Sequence, residues 1–185
     1  MRNYKKAIPN ILTLINLSLG VIAILLSCES SKDSSVNLLI NASLLVMLAA
    51  LTDRFDGKAA RHFDVVSDLG KELDSLSDLI SFGVAPIVVA WKISFIQYGI
   101  LGYLIAIIFP IAGAYRLARY NITTFNNVFQ GIPITIAGLF LTIINLYNAF
   151  SLLTGKPLLF NSYIMIAFVI GLSYFMVSKF SIKKV

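Results

Sequence analysis

Six stretches of this sequence are apolar over close to the ~20 residues that a bilayer crossing needs. They are residues 8–26, 36–52, 73–91, 96–114, 131–153 and 158–177. In lipid an unpaired backbone amide finds no water to bond, so a helix is the default for each stretch. A hydrophobic content of 58% and a mean hydropathy of +0.85 leave no room for a water-soluble globule. The expectation is therefore an all-α membrane protein, a six-transmembrane-helix bundle. The length suits one membrane domain, residues 1–185. The third stretch carries extra information. Its purely apolar part, 79–91, is too short to span, so the helix must reach back through Asp74 and Asp78.

Charge placement orients the bundle. With six spans, both termini and the second and fourth loops share one side. That side carries Arg2, Lys5, Lys6, Arg54, Lys58, Arg61, Lys71, Arg116, Arg119, Lys179, Lys183 and Lys184, twelve of the fifteen Lys and Arg residues. Lys32, Lys92 and Lys156 fall on the other. An excess of cations marks the cytoplasmic side, so both termini are expected there. The net charge of +6 thus records topology, and nothing in it calls for a nucleic-acid partner.

Cys28 is the only cysteine, which excludes an internal disulfide. Leu25-Leu26-Ser27-Cys28 after a basic start loosely resembles a lipoprotein signal. The apolar run is long for a signal, however, and is interrupted by Asn10, Thr13 and Asn16, so retention of this segment is expected. Pro110 is expected to kink the fourth span.

Acidic residues are scarce and concentrated. Seven of the nine Asp and Glu residues fall between Asp53 and Asp78, and the 107 residues after Asp78 contain none. Carboxylates at a bilayer are costly and point to a site with a partner. Asp53 and Asp56 are spaced i, i+3, and Asp74 and Asp78 i, i+4, so each pair projects from one helix face. Two adjacent helices facing each other across a short turn would bring the four together. Four bare anions repel, and a divalent cation, or two, resolves the repulsion. All-oxygen ligation suits Mg²⁺, Mn²⁺ or Ca²⁺ rather than zinc, and one His and one Cys leave no nitrogen or sulfur site.

Gly57 and Ala60 remove bulk one turn from the first acids, and Gly70 does so beside the second pair. Small residues at such spacing serve either tight helix packing or the close approach of a ligand's phosphates. Arg61, one turn beyond Gly57, could grip phosphate with its planar fork.

Taken together, Asp53-x2-Asp56-Gly57-x2-Ala60-Arg61-x8-Gly70-x3-Asp74-x3-Asp78 matches the signature of the CDP-alcohol phosphatidyltransferase family without a departure. Leu73–Pro86, Tyr115–Asn121 and Gly131-Ile132-Pro133 resemble its phosphatidylserine synthase branch. Pro9-Asn10-x2-Thr13-x2-Asn16 resembles the family's first-helix motif. One departure is the segment before the first span, here only Met1–Lys6, where relatives often carry an amphipathic helix.

The resemblance implies a membrane enzyme, commonly a homodimer, that transfers a phosphatidyl group from CDP-diacylglycerol to an alcohol and releases CMP. For this branch the acceptor is L-serine. By motif position, Asp53, Asp56, Asp74 and Asp78 would hold Mg²⁺ or Mn²⁺, as one ion or two. Asp78 would also accept the acceptor's proton, and carboxylate neighbours suit it to that task. Asn10, Thr13, Gly57, Arg61 and Ser67 would contact the CDP part of the donor. Arg116 and Arg119, spaced i, i+3, are candidates for the serine carboxylate. Glycerol 3-phosphate or inositol phosphate acceptors share the same metal motif. A cation transporter would also use intramembrane Asp residues, but would spread them through span centres in two related halves. The expected location is the cell membrane, as a multi-pass protein with its site facing the cytoplasm.

Overall fold

The computed structural model describes residues 2–29, 35–62, 67–122, 128–157, 160–178 and 181–183. Helix α1 runs over Arg2–Glu29 and α2 over Ser35–His62. A continuous helical rod follows from Asp68 to Tyr98, made of α3 (Asp68–Asp78), a π-helical turn (Leu79–Val84), α4 (Ala85–Ala90) and a tail of π and 3₁₀ turns. Then come α5 (Ile100–Ile122), α6 (Ile134–Leu153) and α7 (Ser162–Val177). Five helices are long and apolar enough to cross a membrane: Pro9–Glu29, Val36–Lys58, Asp68–Tyr98, Ile100–Ile122 and Ile134–Leu153. Ser162–Val177 is a sixth, shorter apolar helix.

The helices differ from the sequence-based spans in three ways. The third extends to Tyr98, and the fourth begins at Ile100 and runs eight residues past Ala114. Arg116 and Arg119 consequently sit on the last turns of α5 rather than in a loop. Pro110 lies inside α5, as it does in the sequence-based span. Thirdly, a short antiparallel ribbon pairs β1 (Val128–Gln130) with β2 (Ser181–Lys183), Phe129 opposite Ile182. It ties the α5–α6 connection to the chain beyond α7.

Ser67 starts α3 by accepting a hydrogen bond from the Gly70 amide at 3.1 Å, the expected N-cap chemistry. Pro86 explains the wide turn that follows. A proline has no amide to give to the carbonyl four residues back, and its ring would clash with it. That carbonyl belongs to Phe82, inside the π turn. The freed oxygen needs space, and Gly138 on α6 supplies it: a Cβ there would lie 2.4 Å from the Phe82 oxygen. Gly20 does the same on α1, where a Cβ would lie 2.4 Å from Ser81 Oγ. The buried rod is thus seated by backbone approaches that only glycine allows.

Around it the core is formed by Phe82, Phe95, Phe109, Ile134, Leu141, Met165 and Val169, among others, all fully buried. Leu101, Leu104, Ile111 and Tyr115 on α5 point outward and are more than half exposed. An apolar exterior of this extent suits lipid, not water. α1 is integral to the bundle, with Asn16, Ala23 and Ser27 fully buried.

Candidate functional site

α1 packs against both α2 and α3, whereas α2 and α3 share little close backbone contact. The two acidic helices thus both rest on α1, and the convergence that the spacing suggested is made by their side chains rather than by close backbone contact. Their carboxylates meet over α1. One oxygen each from Asp53, Asp56 and Asp74 lies within 4.8 Å of the other two. Asp56 is buried, and Asp53 and Asp74 are half-buried.

Hydrogen bonds from α1 and α3 hold this arrangement. Thr13 Oγ1 lies 3.1 Å from Asp56 Oδ2 and 3.0 Å from the Pro9 carbonyl, so its single proton is shared between them. Ser77 Oγ donates to the Thr13 carbonyl at 3.1 Å and Ser81 Oγ to the Asn16 carbonyl at 3.0 Å. These serines fasten α3 and the π turn to α1 on either side of Asp78. In the sequence they stand within Leu73–Pro86, where no individual role was assigned to them.

Asp78 is buried and lies outside the trio, its carboxyl against that of Asp53. Its Oδ1 has no hydrogen-bond partner. Among the described residues no Lys or Arg forms an ion pair with any of the four acids; Lys71 pairs at 3.6 Å with Asp68, at the exposed start of α3. An Asp inside a span costs about 3 kcal/mol on insertion scales. Four of them would consume much of a domain's roughly 5–15 kcal/mol of stability. The site therefore fits a hard divalent cation, which supplies the missing charge and takes oxygen ligands.

The remaining candidates lie around this cluster. Asn10 is close to Gly70 and Ser67, since a Cβ on Gly70 would sit 3.2 Å from Asn10 Oδ1 and 3.1 Å from Ser67 Oγ. These residues form a polar rim at the start of α3. Gly57 follows Asp56 directly on α2. Arg61 belongs to the last turn of that helix, but its side chain lies outside the described residues.

The two arginines of α5 have different surroundings. Arg116 is buried on the Asp78 side, its guanidinium 5.6 Å from the Tyr120 ring centroid and its Nε without a partner. Arg119 reaches the other way. Its Nη1 donates to the Val177 carbonyl at 2.8 Å and its Nη2 to that of Ser178 at 3.4 Å. The Ile132 amide donates to the Phe175 carbonyl at 3.2 Å, so the Gly131–Pro133 segment and Arg119 together cap the end of α7. Asn121 bonds Ser75 at 3.1 Å and Glu72 at 3.4 Å, joining α5 to α3 beside the acids.

Comparison with known proteins agrees with this geometry. Residues 6–176 match the family profile described as CDP-alcohol phosphatidyltransferase. The CDP-diacylglycerol–serine O-phosphatidyltransferase of Bacillus subtilis is 36% identical over 174 residues, covering 93% of this chain and 87% of the relative. An archaetidylserine synthase from Methanothermobacter thermautotrophicus is 34% identical over 90% of this chain and 69% of its own length. The Helicobacter pylori CDP-diacylglycerol–serine O-phosphatidyltransferase is 33% identical over 92% of the chain and 69% of its own length.

Proposed function

The chain belongs to the CDP-alcohol phosphatidyltransferase family, and from that premise we propose that it is a phosphatidylserine synthase that moves a phosphatidyl group from CDP-diacylglycerol to L-serine. The observation that carries the proposal is the meeting of Asp53, Asp56 and Asp74 over α1, with Asp78 beside them, in the family's own spacing. Mg²⁺ or Mn²⁺, held by these carboxylates as one ion or two, would neutralise the donor's pyrophosphate and the charge developed during displacement.

The rest is done by the chain. Asn10, Ser67 and the open backbone at Gly57 bind the CDP group, and Arg61 pairs with its phosphates. Thr13 contributes through Asp56, whose carboxylate it orients. Asp78 accepts the serine hydroxyl proton as Oγ attacks the lipid-bearing phosphorus. The new P–O bond forms as the bond to CMP breaks, and CMP leaves with its phosphate intact. A carboxylate is a weak base for an alcohol, so proton transfer must accompany attack rather than precede it.

For the serine carboxylate Arg116 is the better placed of the two arginines. It is buried near Asp78 with an unused Nε, whereas Arg119 already bonds the end of α7. The test is a panel of acceptors, namely L-serine, glycerol 3-phosphate, inositol phosphate and free inositol, with CMP release recorded for each. Donors with ester-linked and ether-linked chains should both be included, because one relative is an archaetidylserine synthase. L-Serine should lead the panel. In the same assay Arg116→Lys keeps the charge but loses the fork, and should raise the apparent KM for serine tenfold or more, about 1.4 kcal/mol. Preference for glycerol 3-phosphate or inositol phosphate would defeat the serine assignment and leave the family untouched.

The proposal includes a cell-membrane location with six crossings, both termini and the acids cytoplasmic, and a homodimeric assembly. In a Cys28→Ser background, a cysteine at Lys71 should be labelled only from the inside and one at Lys156 only from the outside. Labelling in the opposite sense would overturn the orientation.

A further inference from the structure

Asn16 is fully buried, and neither Nδ2 nor Oδ1 has a hydrogen-bond partner. A buried amide left unpaired costs roughly 1–3 kcal/mol, so its retention asks for a reason. Its place in the fold supplies one. α1 and α2 form a hairpin, and Thr13 on α1 meets Asp56 on α2. One turn further along α1 and one turn back along α2 are Asn16 and Asp53, which therefore share the next layer. On the other side, Ser77 and Ser81 bond the Thr13 and Asn16 carbonyls, which places Asp78 against the same turn of α1. Asp78 in turn touches Asp53 and has an orphaned Oδ1. A donor without an acceptor and an acceptor without a donor thus lie in one buried layer beneath the cluster.

We infer that Asn16 is a positioning residue for Asp78: its Nδ2 donates to a buried water that in turn donates to Oδ1, and Oδ2 is left facing the reacting hydroxyl. The inference rests on the transferase reading above. A water in this layer would have the polar partners it requires. Fixing one oxygen matters because Asp78 has two equivalent rotor positions, and only one presents a basic lone pair to the acceptor. Asn16 touches neither substrate, so its effect should fall on turnover and not on binding.

The inference is tested by separating turnover from folding. Asn16→Leu keeps the branching at Cγ and replaces the amide with apolar groups, and Asn16→Ala removes the side chain if leucine is too large. Purified wild type and both variants are compared for kcat, KM for CDP-diacylglycerol, Mn²⁺ affinity by electron paramagnetic resonance, and thermal midpoint. Expected are a kcat at least tenfold lower, donor KM and Mn²⁺ affinity within threefold of wild type, and for at least one variant a midpoint within a few degrees of wild type. Wild-type kcat in both variants would reduce Asn16 to packing. Midpoints that fall together with activity in both would make it structural. Mn²⁺ affinity lost in step with kcat would make it a cation ligand. Wild-type protein inert toward every alcohol defeats the transferase reading itself, and that is seen before any variant is measured.

Discussion

Exhaustive chelation of divalent cations will abolish CMP formation, and Mg²⁺ or Mn²⁺ will restore it. The expectation follows from the electrostatics of the cluster. Oxygens from Asp53, Asp56 and Asp74 lie within 4.8 Å of one another, Asp78 is against Asp53, and among the described residues no side-chain cation pairs with them. Two unit charges at about 4 Å repel by about 4 kcal/mol at an effective dielectric constant near 20. A pyrophosphate donor adds further negative charge, so without a cation the site would repel its own substrate. The loss should therefore be complete to the detection limit. A second reading does not depend on turnover: metal added at 100 times its Kd should stabilise the fold by about 2.7 kcal/mol, seen as a rise in thermal midpoint. Full activity after chelation would defeat the metal assignment, and so would a midpoint indifferent to Mg²⁺ and Mn²⁺.

Asp78→Asn and Asp53→Asn will fail in different ways. Asparagine matches aspartate in shape but cannot accept a proton, and a positioned general base contributes about 10²–10⁴-fold to rate. Asp78→Asn should lower kcat by that order while donor affinity, measured by titration with CDP-diacylglycerol in the presence of Mn²⁺, stays within a few-fold. Asp53 belongs to the converging trio and Asp78 does not. Asp53→Asn should accordingly weaken Mn²⁺ binding and metal-dependent donor binding as well as turnover. Equal losses of donor affinity in the two variants would mean that Asp78 acts chiefly as a ligand. The comparison also bears on Arg116, which lies on the Asp78 side of the site. If Asp78 is the base, a serine held by Arg116 as proposed would have its hydroxyl on the correct side for proton transfer.

Much of this site was legible along the chain because its determinants are local. Apolar stretches of spanning length oblige helices, since lipid offers a backbone amide no other partner. The i, i+3 and i, i+4 spacings put Asp53 with Asp56 and Asp74 with Asp78 on common faces, and the scarcity of acid elsewhere marked the region as chemical. Family membership followed from the same 26 residues, Asp53 to Asp78.

Relations between helices were not legible, because they depend on which side chains meet across the bundle. Spacing says that two acid pairs can converge, but not that α1 packs against both of their helices and that Thr13 on it bonds one of the acids. Arg116 and Arg119 are indistinguishable by position, type and charge. Only packing turned one toward Asp78 and gave the other to the carbonyls that end α7. The extension of α5 beyond Ala114 to Ile122 was likewise not legible, because Arg116 and Arg119 end the apolar run before the helix itself ends. Helix existence and helix faces are thus properties of the chain and its solvent, set residue by residue. The division of labour among identical residue types was decided only when burial assigned each polar atom a partner, or, for Asn16 and Asp78, left it without one.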